Sequence, residues 1–69
     1  MNHLKLLRAE CGLSQRELAE RSGLPLKTVW NIENSRTRPT ARTLLALAIG
    51  LDCTVDEVLE AVSRRYEMF

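Results

Sequence analysis

Residues Gln15 to Glu33 read QRELAERSGLPLKTVWNIE. Leu18 and Ala19 suit the inner face of a first short helix, Gly23 and Leu24 mark a tight turn, and Val29 and Ile32 suit the inner face of a second helix. The first helix has a clear start. Ser14 is followed three residues later by Glu17, a capping box, and Leu13 with Leu18 forms the matching hydrophobic staple. The second helix is expected over about residues 25–34. Pro25 is acceptable there because the first turn needs no N–H. At about 100° per residue, Val29, Ile32 and Glu33 point one way, and Leu26, Lys27, Trp30, Asn31 and Asn34 occupy the opposite arc. Two large apolar residues are thus expected on an exposed face one turn apart, an arrangement that needs a partner. Two short helices around such a turn have the spacing of a helix-turn-helix.

Working outward, Leu4, Leu7 and Cys11 repeat at helical spacing and predict a first helix over about residues 2–11, ended by Gly12 in the left-handed region. After the central stretch, Asn34 is a candidate for left-handed backbone, and Arg36-Thr37-Arg38-Pro39 forms a basic loop. Thr40 caps a further helix, in which Leu44, Leu47, Ala48 and Leu51 face the core, Leu45 broadens the stripe and Gly50 loosens the end. Asp52 follows at a left-handed turn. Thr54 and Glu57 repeat the capping box and open a last helix with Val55, Val58, Leu59 and Val62 on one face. Five helices and an all-α fold are expected, as one domain over residues 1–69 with a core over about 3–62 and a tail over 63–69.

Sixty-nine residues can build a single compact core, and the 45% apolar content is ample for one. No apolar run approaches membrane-spanning length, and MNHLKLLRAE is too charged for a signal peptide. Cys11 and Cys53 form no CxxC pair and have no histidine at zinc spacing, so they read as small apolar residues in a reducing cytosol, with a disulfide the less favoured alternative. The net charge of +1 says little, but its distribution is uneven. Residues 26–42 carry Lys27, Arg36, Arg38 and Arg42 against Glu33, and residues 43–63 carry Asp52, Asp56, Glu57 and Glu60 with no basic residue. One basic and one acidic end would orient the chain on a polyanion. His3 is the sole histidine, and no catalytic set, metal-ligand cluster or phosphate-binding glycine loop can be assembled. Neither catalysis nor a cofactor is expected.

From Leu4 to Leu59 the motifs LxxLR, GLSQxELAxxSG, TVxNIEN, RP, TLLALA and TVDEVL follow one another. Together they resemble the lambda-repressor/Cro-like (XRE-type) family of bacterial and phage DNA-binding domains. The resemblance implies that the second helix of the central stretch enters the major groove. It implies phosphate contacts from Gln15, Thr28, Arg36 and Arg38, and base-edge contacts from Leu26, Lys27, Trp30 and Asn31. It also implies a salt bridge between Arg8 and Glu33, where the residues alone allow Arg8 to be a surface arginine covering the core edge. For Gln15 the alternative is a solvated glutamine, with the phosphate contact favoured. The sequence departs from the family at Pro25, where Ser or Thr is usual, and at Leu26 and Trp30, where polar residues are common.

The expected function is that of a small cytoplasmic transcriptional regulator, a repressor by preference, binding a pseudo-palindromic operator as a homodimer. Helix 5 and the apolar tail residues Tyr66, Met68 and Phe69 are the expected dimer contacts. The competing reading is a protein-interaction module, such as an antitoxin that meets a toxin or an anti-repressor, in which Leu26 and Trp30 bury against protein.

Overall fold

The computed structural model describes residues 2–64 and is all-α. Its helices are α1 (Leu4–Glu10), α2 (Gln15–Ser22), α3 (Leu26–Glu33), α4 (Ala41–Leu51) and α5 (Val55–Ser63). The tail residues Tyr66, Met68 and Phe69 lie outside the described residues. Several helix boundaries have a local cause. Ser14 Oγ accepts from the Glu17 N–H at 3.0 Å and Glu17 Oε1 accepts from the Ser14 N–H at 2.9 Å, so both halves of the α2 capping box are formed. Thr54 and Glu57 form the same box on α5, and Thr40 Oγ1 caps α4 through the Thr43 N–H. Such a cap contributes about 1 kcal/mol. Gly23 ends α2 at φ +69°, where the Leu24 N–H reaches back to the Ala19 carbonyl. Asp52 ends α4 at φ +55°.

The core is assembled around α4. Leu44, Leu47, Ala48 and Leu51 bury against Leu18 and Ala19 of α2, Val29 and Ile32 of α3, Leu4 of α1 and Val58 of α5. Burying each leucine fully contributes about 1.5–3 kcal/mol relative to leaving it exposed. Gly50 lies at a close approach to α2, where a Cβ would collide with Ser22 Oγ. Besides its place near the helix end, it lets the two helices meet.

The structure corrects several expectations. Leu45 is 52% exposed and outside the stripe, because the α4 core face is filled by the 44/47/48/51 arc. On α5 the buried residues are Val58 and Ala61; Val62 is half-buried, and Val55 and Leu59 face solvent. Cys11 is exposed at the end of α1, with its Sγ 3.7 Å from the Leu51 carbonyl. Cys53 is half-buried, and both cysteines are free. Burial, then Glu57, pushes the Cys53 thiol above its ordinary range, which favours the protonated thiol. The left-handed residue after α3 is Ser35, at φ +57°, whereas Asn34 stays at φ −92°. Finally, α1 begins at Leu4, whose N–H is capped by the Asn2 side chain, so Asn2 precedes the helix instead of starting it.

Candidate nucleic-acid interface

The inner face of α3 is held at three points. Val29 and Ile32 are buried in the core, and Glu33 is 1% exposed. The Glu33 carboxylate accepts from Arg8 Nε at 2.6 Å, from Arg8 Nη2 at 3.2 Å and from Gln15 Nε2 at 3.1 Å. Arg8 Nη1 also donates to the Leu13 carbonyl at 2.8 Å. One carboxylate therefore ties α1, α2 and α3 together. Such a pair contributes little net stability after desolvation, but it sets orientation, and its loss leaves a charge without a partner. The Gln15 amide nitrogen is engaged in this network. Gln15 nevertheless lines a shallow concavity with Ser14, Arg16 and Leu26, at the start of α2.

The C-terminal end of α3 is held by Asn2, a residue sequence reasoning missed. Its side chain is almost wholly buried. Asn2 Nδ2 donates to the Ile32 carbonyl at 2.6 Å and to Ser35 Oγ at 3.3 Å, and its backbone N–H donates to the Glu33 carbonyl at 3.0 Å. Its Oδ1 accepts from the Leu4 N–H at 3.0 Å. Asn2 thus caps the start of α1 through its side chain, adds a second donor to the Ile32 carbonyl, and satisfies the Glu33 carbonyl at the end of α3 through its backbone N–H. A short polar residue two positions before α1 was the available signal; its bond to Ile32 had none.

With its inner face fixed, α3 presents the opposite arc to solvent. Leu26 is 40% exposed and Trp30 42% exposed. Lys27 is exposed between them, and Thr28 and Asn31 are half-buried. At the start of the helix Pro25 is extended, at φ −61° and ψ 144°, and offers no side-chain cap. The Thr28 N–H instead reaches the Pro25 carbonyl at 3.0 Å, and Leu26 is the first helical residue.

Beyond α3, the Arg36 N–H donates to the Asn31 carbonyl at 2.8 Å, which folds the basic loop back along the helix end. The Arg36 guanidinium lies over the Trp30 ring, 5.3 Å from its centroid. Arg36 and Arg38 are exposed and line a groove with Asn2, Pro39 and Leu59. The structure therefore brings Gln15 and Leu26 together at one end of α3 and Trp30 and Arg36 at the other, with Lys27, Thr28 and Asn31 on the helix between them. At the start of α2, the Ser14 backbone N–H and then the Ser14 hydroxyl hold the Glu17 carboxyl below its ordinary range. It is ionised at neutral pH and favourable to the helix dipole. Among the described residues, no group of three or more His, Cys, Asp or Glu residues could hold a metal ion, and no helix is long and apolar enough to cross a membrane.

A family model described as helix-turn-helix matches residues 4–58. No curated protein and no solved structure matches the chain.

Proposed function

The chain belongs to the XRE/lambda-repressor-like helix-turn-helix family, a DNA-binding family, and we propose that it acts as one domain that binds duplex DNA sequence-specifically, as a small cytoplasmic transcriptional repressor. In this reading α3 lies in the major groove. Leu26, Lys27, Trp30 and Asn31 face base edges, with Lys27 suited to guanine O6/N7, Asn31 to adenine N6/N7 and the apolar pair to thymine methyls. Gln15, Thr28, Arg36 and Arg38, with the N-terminus of α2, meet phosphates on either side. The observation that carries the reading is the division of α3: one face is locked into the core through Val29, Ile32 and Glu33, and the other holds exposed apolar and cationic residues.

A homodimer completes the proposal, with half-sites about 34 Å apart. Val55 and Leu59 of α5 are 36% and 47% exposed, and Leu45 and Ile49 of α4 are 52% and 65% exposed. These four residues support an isologous contact on the α4–α5 side. The exposure of Leu26 and Trp30 also supports the second reading, in which α3 buries its outer face against a protein such as a toxin.

Selection of binding sites from a random duplex library, followed by affinity against salt, separates the two. The DNA reading expects an enriched half-site and a steep fall of log K with log salt. A failure to enrich any sequence, with salt-insensitive capture of a protein, would overturn it.

A further inference from the structure

We propose that Trp30 is a positioning residue for Arg36, so that the tryptophan on the groove-facing helix also sets up a phosphate contact from the loop. The inference rests on the DNA-binding reading above. Three features build the juxtaposition. Ser35 takes left-handed backbone at φ +57°, stabilised by its N–H bond to the Ile32 carbonyl and by Asn2 Nδ2 on its hydroxyl. The Arg36 N–H then bonds to the Asn31 carbonyl at 2.8 Å, which turns residue 36 back toward the helix it has just left. The Asn34 side-chain amide donates to the Trp30 carbonyl at 2.9 Å, holding the end of the helix closed. The result is an arginine guanidinium over an indole ring at 5.3 Å.

An arginine on an exposed loop has many rotamers, and fixing it on a phosphate has an entropic cost. An indole face is the best aromatic partner for a cation. A guanidinium that meets a ring by its flat face keeps its in-plane N–H donors free for a phosphate. Phosphate contacts carry no sequence information. Trp30 should therefore matter for binding to any duplex, whereas a residue that only reads base edges should matter for the operator alone.

The test uses a random-sequence duplex with the full chain, titrated over a range of salt. Arg36→Ala is expected to lower the log–log salt slope by about 0.9. Trp30→Ala is expected to weaken random-duplex binding roughly two- to fivefold and lower the slope in the same direction. Trp30→Phe, which keeps an aromatic face, should recover most of the loss. In the Arg36→Ala background, Trp30→Ala should have almost no further effect on random duplex. Without DNA, Arg36→Ala should shift the emission of Trp30, the only tryptophan. The proposal is overturned if Trp30→Ala leaves random-duplex affinity unchanged, if the two substitutions multiply independently, or if the emission of the free protein does not respond to Arg36→Ala. Salt-dependent binding by the unaltered chain with a flat Trp30 result refutes the positioning role alone. No duplex binding by the unaltered chain refutes the DNA-binding reading, and the positioning role with it.

Discussion

Among the described residues, exposed apolar side chains on α3 and on α4 and α5 sit in different charge settings. Leu26 and Trp30 on α3 accompany Lys27, with Arg36 over the Trp30 ring and Arg38 following; Leu45 and Ile49 on α4 and Val55 and Leu59 on α5 lie on helices that carry Arg42 but also Asp56, Glu57 and Glu60, with Asp52 between them. Similar exposure thus invites different partners. A polyanion is drawn to the first set, and the net acidic charge of α4 and α5 makes the second less suited to one, so apolar burial there is better met by protein. Their supports differ too. The first set lies on a helix braced by the buried Glu33 network, and the second spans two helices joined by a short capped turn. They approach each other at one place, where Leu59 lines the groove that also holds Arg36 and Arg38.

The strongest way to break this comparison is to remove the brace. Glu33→Gln leaves Arg8, whose side chain is only 12% exposed, without its charge partner. A loss of about 3–5 kcal/mol is expected, read by urea or thermal unfolding. Arg8→Met with Glu33→Leu should recover much of it. A loss below about 0.5 kcal/mol would mean that the pair behaves as a surface bridge. Next, Ile49→Glu with Leu59→Glu places like charges on the acidic surface. It should weaken self-association by about 2 kcal/mol, roughly thirtyfold in dimer Kd by sedimentation. The melting temperature of the separated chains should barely change, since neither side chain is in the core.

Trp30→Ala probes the first set alone. It should weaken operator binding by about 1–2 kcal/mol with little change in melting temperature, because the indole lies outside the buried core cluster. A large drop in melting temperature would instead assign the indole to the core edge. The smallest effect separates the two charge environments. Arg38→Ala should lower the log–log salt slope by about 1 on specific and random duplex alike. Arg64→Ala, whose guanidinium pairs with Glu60 at 2.9 Å, should leave the slope unchanged. Equal slopes in the two variants would erase the distinction between the basic and acidic ends.

What the sequence determined by itself is local. The Ser14–Glu17 and Thr54–Glu57 boxes join groups three residues apart, and the φ +69° turn at Gly23 needs only a residue without a Cβ. The inward set of α3 follows from helical period, because one turn decides which side chains share a face. The core stripe of α4 was legible for the same reason, but its width was not. Period alone cannot say whether a neighbour covers Leu45, and in the fold it stays exposed. The spacing of 25 residues between Arg8 and Glu33 has no local signature, and only the family resemblance suggested that pair. The reach of Asn2 across 30 residues to Ile32, the stack of Arg36 on Trp30 and the engagement of Gln15 with Glu33 had no signature at all. Tertiary packing decides these, because a polar side chain takes whichever partner the fold brings within hydrogen-bonding distance, and that distance is fixed only after the apolar faces have closed.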